Sequence, residues 1–126
     1  TQLGLGRNDE AMATARRALE LMPNYLLQNP DDSRARMFYA VTLCDVGQTE
    51  AALREGEAAI EASPGDSVML YNAACLYSRL GEKRRAVDTL REAVGAGVRN
   101  FEWMKHDPDL NSLRDDPEFL ELTKIP

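Results

Sequence analysis

The chain has 126 residues, of which 44% are apolar, 29% charged and 6% aromatic, a composition that fits one helical domain with one hydrophobic core. Its 15 Lys and Arg against 21 Asp and Glu give a formal charge of −6, so the positive surface that nucleic-acid binding needs is missing. No stretch approaches the ~18 apolar residues of a membrane span, so we expect neither a nucleic-acid nor a membrane partner.

The side chains that carry enzyme chemistry are sparse. Cys44 and Cys75 form no CxxC pair and His106 is the single histidine, so neither a disulfide framework nor a zinc site has its ligands. His106 has no partner at a useful spacing, and we expect it on the surface or packed against a helix cap. We therefore predict a non-catalytic protein in the reducing cytoplasm, with no catalytic residue, metal or cofactor.

The first part of the chain contains two overlapping repeat patterns. One ends at Pro23, and the other places Ala18 and Pro30 in the frame of the later repeats. The two frames differ by about two helical turns, so one helix can serve both with its buried face rotated by about 20°. We predict a single long helix over about 8–29, kinked or broken near Pro23 because proline has no backbone N–H to donate.

The beginning of the chain looks incomplete as a repeat. Gly4-Leu5-Gly6 predicts a helix-end turn, which would leave residues 1–5 as the remnant of a preceding helix. We therefore expect the chain to be a fragment of a larger protein. An apolar stripe on the first helix would then lack its cover and favour self-association of the chain; the stripe is Ala11, Ala15, Ala18 and Leu19.

An internal repeat of 34 residues organises the middle of the chain. Six residues, most of them small or typical of turns, recur in the same register. They are Asp32, Ser33, Ala40, Gly47, Ala52 and Ala59, which recur as Asp66, Ser67, Ala74, Gly81, Ala86 and Ala93.

Each repeat unit is expected to form two helices. Asp32 and Asp66, or the serines after them, can cap a first turn, and the mid-unit Gly47 and Gly81 can adopt the positive φ that ends a helix. The apolar spacing predicts first helices over about 33–46 and 67–80 and second helices over about 49–62 and 82–95. The alanines mark places where two helices cross closely.

These units resemble the tetratricopeptide repeat family, whose pattern has small residues at three fixed positions and a proline near the end of each unit. Residues 33–66 and 67–100 each match the small positions, and Tyr77 stands at the family's aromatic position. The resemblance implies an all-α, right-handed α-solenoid. The departures from the pattern are Leu43 at the aromatic position, Arg36 and Leu70 in place of tryptophan, and Val98 in place of the last proline.

After Asn100 the register of identical residues stops, and two Asp-Pro motifs follow. Asp107-Pro108 and Asp116-Pro117 each combine a capping aspartate with proline in the first helical position, so both predict short capping helices. The whole chain then reads as one domain with an irregular first unit, two repeats and a cap. The expected divisions are 1–32, 33–66, 67–100 and 101–126.

The last unit and its tail resemble the C-terminal segment of certain bacterial signalling proteins. The matching stretches are Tyr71–Tyr77, Glu102-Trp103, His106–Leu110 and Leu113–Phe119. In those families such repeats follow a class III adenylate cyclase, a Ser/Thr kinase or a DNA-binding regulator domain. The resemblance implies an attached signalling domain and says nothing about its ligand.

The inner face of the solenoid is the candidate binding site. In tetratricopeptide proteins the first helix of each unit lines a concave groove that binds a protein or peptide, so the resemblance assigns this role to one stripe of each first helix. The chaperone-carboxylate set of that family is matched here by Asn72 alone, and we reject carboxylate capture. The groove positions are Arg34, Met37, Val41, Cys44, Asp45, Val68, Tyr71, Asn72, Cys75, Ser78 and Arg79.

Two functions are compatible with this groove. The first is a scaffold that binds a protein partner and regulates or localises an attached signalling domain. The alternative is a structural oligomerisation segment whose groove is covered by another copy. Tyr71 and Tyr77 point about 120° apart on the same predicted helix, so both cannot face the same side. We expect Tyr77 in the core and Tyr71 on the groove face.

Overall fold

The computed structural model describes the backbone of residues 2–124 and the side chains of residue 10 and residues 12–124. This part of the chain is helical and contains no β-strand, which confirms the predicted all-α class. None of the helices described combines the length and apolar character needed to cross a membrane. The helices are α1 Gln2–Gln28, α2 Ser33–Asp45, α3 Thr49–Ala62, α4 Ser67–Arg79, α5 Lys83–Gly95, α6 Phe101–His106, a 3₁₀ helix Pro108–Leu113 and α7 Pro117–Leu122.

Helices α2 to α5 begin and end within one residue of the predicted bounds. Aspartate side chains cap α2 and α4, whereas α3 and α5 have no side-chain cap and follow the glycine turns. The Asp32 carboxylate accepts the Ala35 N–H at 3.0 Å and the Asp66 carboxylate accepts the Met69 N–H at 3.1 Å. After α2 and α4 the chain turns through Gly47 and Gly81, whose φ angles are 84° and 80°. A residue with a Cβ would be strained at either position.

The core is built on close crossings of small residues. Helix α2 packs against α3 and α4 against α5, and consecutive pairs stack as a solenoid. Between the pairs, a Cβ placed on Gly56 would lie only 2.6 Å from Leu76 Cδ2, so the Leu76 side chain would have to shift to admit it. The fully buried alanines are Ala40, Ala52, Ala59, Ala73, Ala74, Ala86 and Ala93.

Helix α1 is one continuous helix, as predicted, but it starts earlier than predicted. It runs from Gln2 to Gln28, so the predicted turn at Gly4-Leu5-Gly6 is wrong. Glycine permits a left-handed turn but does not impose one, and continuing the helix gains backbone hydrogen bonds that offset a propensity cost of about 1 kcal/mol for each glycine. The helix also continues through Pro23 without a break.

The apolar stripe expected on α1 is partly covered. Leu19 packs against the core, and Ala15 and Ala18 are half-buried. The side chain of Ala11 lies outside the described residues. Self-association through this stripe therefore stays a prediction, with less uncovered surface than the sequence implies.

The C-terminal segment stacks on the second repeat in the same way as the second repeat stacks on the first, although it does not share their recurring residues. Ser78 Oγ lies 2.7 Å from Ser112 Oγ, and Arg84 Nη1 donates to Glu118 Oε1 at 2.7 Å; both pairs are separated by 34 residues. The ion pair of Asp45 and Arg79, between α2 and α4, has the same separation of 34 residues. The register thus persists in space beyond Asn100. The tail, residues 101–124, is a shortened third copy of the regular repeat and is called the third unit below.

The first helix of this third unit is broken at Asp107. Its backbone is extended, with φ −66° and ψ 117°, and Pro108 follows as the first residue of the 3₁₀ helix. Proline disfavours helical geometry in the residue before it, so α6 ends at His106. Both predicted Asp-Pro caps are present, since the Asp116 carboxylate accepts the Glu118 and Phe119 N–H groups at the start of α7.

Exposed ion pairs connect α7 to α5. Arg84 binds both oxygens of Glu118 and also pairs with Asp88 at 2.6 Å, and Arg91 contacts the same two carboxylates. The basic run at 83–85 is therefore an exposed face with ion pairs, as its helical spacing to Asp88 suggests.

Tyr77→Ala should lower the free energy of unfolding by about 3 to 5 kcal/mol, because it leaves a cavity. The ring is 4% exposed and the Arg85 guanidinium lies 5.2 Å from its centre. Chemical denaturation followed by circular dichroism measures the change. The control is Tyr77→Phe, which keeps the ring. A loss below about 1 kcal/mol for the alanine variant would contradict the placement of this residue in the core.

Glu118 should make folding stability depend on pH in the acid range. Its two arginine partners lower the pKa of Glu118 to about 2, below its usual value of 4.5. The folded chain therefore holds this carboxylate ionised where the unfolded chain protonates it, and the stabilisation is lost as pH falls from about 4.5 to 2.

Glu118→Gln should flatten this part of the profile of melting temperature against pH. The matched control is Glu121→Gln on the same helix, whose carboxylate pairs only with Lys124 among the described residues. Identical acid profiles for the Glu118 variant and the unaltered chain would show that the ion pairs do not contribute.

Candidate functional site

A groove of about 590 Å³ lies on the face formed by α2, α4 and the third unit. Helix α4 lies between α2 and the 3₁₀ helix, packing against both, so α2 and the third unit form opposite walls. The lining residues are Arg34, Met37, Phe38, Val41, Val68, Met69, Tyr71, Asn72, Cys75, Leu76, Arg79, Trp103, Asp107 and Asp109.

The structure brings most of the predicted groove residues together. Eight of the eleven line the groove, namely Arg34, Met37, Val41, Val68, Tyr71, Asn72, Cys75 and Arg79. Asp45 does not line it and instead pairs with Arg79. Ser78 is buried, and its hydroxyl contacts Ser112 of the third unit. Cys44, which has the same helical position as the predicted set, is half-buried beside the groove.

Sequence reasoning missed the wall that the third unit contributes. Trp103 lies 34 residues after the groove residue Met69, and Asp109 lies 34 residues after Cys75. Extending the register past Asn100 would therefore have placed Asp109 on this face. Trp103 would still have been missed, because Met69 is not among the predicted groove positions. Asp107 follows no such rule, because its position depends on the break in the helix.

The Asp107 carboxylate connects the third unit to α4. Its Oδ2 accepts a hydrogen bond from the Tyr71 hydroxyl at 2.6 Å and lies 3.8 Å from Cys75 Sγ. Its Oδ1 accepts the backbone N–H of Asp109 at 2.9 Å and so caps the 3₁₀ helix. Because Asp107 is only 5% exposed, these donors replace water around a buried charge.

The two α4 donors keep their protons in this environment. Burial first, and the hydrogen bond to Asp107 second, raises the pKa of Tyr71. Burial is also the main cause that raises the pKa of Cys75. Cys75 is therefore a neutral thiol that donates to Asp107. A protonated, buried thiol is a poor nucleophile.

Tyr71 lies on the groove face, as expected, and its hydroxyl has a second role. Its ring lines the groove, but its hydroxyl also holds Asp107, so the residue contributes to folding as well. Tyr77 is buried as expected. The helical rotation correctly predicted that the rings of Tyr71 and Tyr77 point to different faces. Residue spacing on one helix could not predict the hydrogen bond from Tyr71 to Asp107, 36 residues later.

The groups that could hold a metal ion do not form a ready ligand set. Cys75, Asp107 and Asp109 bring one ligand atom each within 4.8 Å of one another. A metal takes the thiolate form, whereas burial keeps the Cys75 thiol protonated. Both Asp107 oxygens already accept hydrogen bonds, which leaves the exposed Asp109 as the available carboxylate. His106 is exposed.

The geometry defines a helical-repeat protein with a lined concave groove, and comparison with known proteins agrees with that class. Residues 1–25 and 68–96 match the sequence model of the tetratricopeptide repeat. The first match corresponds to the frame that ends near Pro23, and the second covers nearly all of α4 and α5.

The chain is also similar to a chloroplastic protein of the plant Arabidopsis thaliana. The two are 36% identical over 81 residues, which cover 62% of this chain and 24% of the relative. The chain therefore spans about a quarter of the length of that relative. These comparisons support the repeat class, and they do not bear on the resemblance of the tail to bacterial cyclases or kinases.

Tyr71→Phe should lower the free energy of unfolding by about 1.5 kcal/mol, because it removes a hydrogen bond to a buried carboxylate and keeps the ring. Tyr77→Phe is the matched control, since the Tyr77 hydroxyl makes no hydrogen bond among the described residues. Urea denaturation of the two variants measures the difference. Equal losses would show that the Tyr71 hydroxyl does not hold Asp107.

Proposed function

We propose that this chain is a non-catalytic scaffold module that binds a segment of a partner protein in the groove between α2, α4 and the third unit. The observation that carries the proposal is a set of exposed apolar side chains in one concavity. Phe38, Val68 and Trp103 are 53%, 55% and 53% exposed, and all three line the groove. Exposed apolar groups gathered in this way are typical of binding surfaces.

The groove is suited to a side-chain anchor. Its floor on α4 is held by the core beneath it, because Leu76 and Met69 are 1% exposed and also line the groove. A ligand side chain would therefore meet a surface that is already ordered, which lowers the entropy cost of binding. Polar groups at the edge, among them Arg34 and Asn72, can orient the ligand backbone.

We also retain as proposals an attached signalling domain and a cytoplasmic location. The first is supported by the likeness of the tail to bacterial signalling proteins, and the second by a composition with two cysteines and no disulfide framework. Self-association through α1, or through the groove itself, is the alternative, favoured by α1 residues such as Met12, which is 42% exposed.

Phe38→Ala should weaken binding of a groove ligand by at least about tenfold, because exposed aromatic residues often anchor interfaces. The ligand is obtained by selecting octapeptides from a displayed random library on the unaltered chain. Affinity is then measured by isothermal titration. Alanine is a good helix former, so α2 should remain intact.

The control is Leu27→Ala on α1, where the side chain is 81% exposed and does not line the groove. It should leave the affinity unchanged. Equal weakening by both variants would contradict binding in this groove. Light scattering after gel filtration tests the alternative, which predicts a dimer that the selected peptide does not dissociate.

A further inference from the structure

The wall that the third unit adds to the groove is acidic and aromatic. Trp103 projects from α6, Asp107 lies at the break in the helix, and Asp109 follows on the 3₁₀ helix. No residue of this wall belongs to the two regular repeats. Its chemistry differs from that of the opposite wall, where α2 contributes Arg34, Met37 and Phe38.

The two carboxylates of this wall form no ion pair among the described residues. Oxygen atoms of Asp107 and Asp109 lie within 4.8 Å of each other. Among the described residues, no Lys, Arg or His nitrogen comes within 4.0 Å of either carboxylate, and Arg79, which also lines the groove, is paired with Asp45. Partial burial first, and the Asp107 charge second, raises the pKa of Asp109. The Arg79 guanidinium lowers the pKa of Asp109 and offsets part of this effect. The wall therefore carries negative charge that is only partly compensated.

We propose that this wall makes the groove selective for a partner segment with a lysine or arginine beside an apolar residue. The inference rests on the proposed function and names the chemistry of its ligand. The cationic group lies between the Asp109 carboxylate and the Trp103 ring, and the apolar neighbour packs on Phe38 and Val68. A cation there forms a charge-assisted hydrogen bond with the Asp109 carboxylate and a cation–π contact with the Trp103 ring. Among the aromatic side chains, tryptophan makes the strongest cation–π contacts.

The charge distribution along the groove also gives the ligand a direction. Arg34 lies on the wall opposite Asp109 and disfavours a second cation there, while it can donate to a carbonyl or carboxylate of the ligand. An organic cation fits better than a bare metal ion. One exposed carboxylate and an aromatic ring supply too few ligand atoms for a metal.

The test uses the emission of Trp103, which is the single tryptophan of the chain and therefore reports directly on the groove. Octapeptides selected on the unaltered chain should be enriched in Lys and Arg relative to the starting library, and selection on Asp109→Asn should lose this enrichment. Titration of a selected peptide, followed by Trp103 emission, should show at least about tenfold weaker binding to Asp109→Asn. The same peptide with norleucine in place of its basic residue should lose a similar factor on the unaltered chain.

The matched control is Asp115→Asn, which removes one exposed aspartate outside the groove and should leave the affinity unchanged. The Asp109 carboxylate makes no hydrogen bond among the described residues, so its replacement should not unfold the 3₁₀ helix; circular dichroism checks this. Selected peptides that need Phe38 but show no basic enrichment, or that bind Asp109→Asn equally, would overturn the inference and leave the proposed function standing. Recovery of no peptide would overturn both. Displacement of a selected peptide by Ca²⁺ or Zn²⁺ alone would overturn the inference in favour of a metal site.

Discussion

The close crossing of helices at alanine and glycine sets the spacing on which the rest of this structure depends. Where Ala40 and Ala52, or Ala74 and Ala86, are fully buried, the two backbones of a unit approach closely and neighbouring ridges fill the grooves. Gly56 imposes the same restriction between units through its contact with Leu76. Because each unit has the same spacing, polar pairs recur between units at a separation of 34 residues even where the residue types differ.

Asp107 determines how the solenoid ends and what the groove contains. The Asp-Pro pair breaks the first helix of the third unit, and this break turns the Asp107 carboxylate towards Tyr71 on α4. The same break begins the 3₁₀ helix that carries Asp109 into the groove. The end of the fold and one wall of the groove are therefore a single structural feature, and a change at this position affects both folding and the binding surface.

The sequence predicted those features that depend on local chemistry or on identical residues. The starts of α2 and α4 follow from aspartate caps and their ends from Gly47 and Gly81, which act within one turn. Eight groove-lining residues followed from the resemblance to the tetratricopeptide repeat, which assigns one stripe of each first helix to the groove. The third unit was missed because it keeps the 34-residue spacing without repeating the residue types. The hydrogen bond of Tyr71 to Asp107 was missed because it depends on how the chain turns where α6 ends, which tertiary packing decides. The glycines near the start of α1 led to the wrong prediction of a turn, since glycine permits a turn without requiring one.

The relative strength of the forces on the third unit decides how firmly the acidic wall is held. Its ion pairs to α5 are exposed, so water and salt screen them and they contribute little. Its apolar side chains are buried, since Met104, Leu110 and Leu113 are 0% exposed, and burial of one such side chain contributes about 1.5 to 3 kcal/mol. Apolar burial therefore dominates, so acid or salt that weakens the ion pairs of α7 leaves the 3₁₀ helix in place. Asp109 and Trp103 are consequently positioned by the core, which is the condition for a binding surface that is ordered before its ligand arrives.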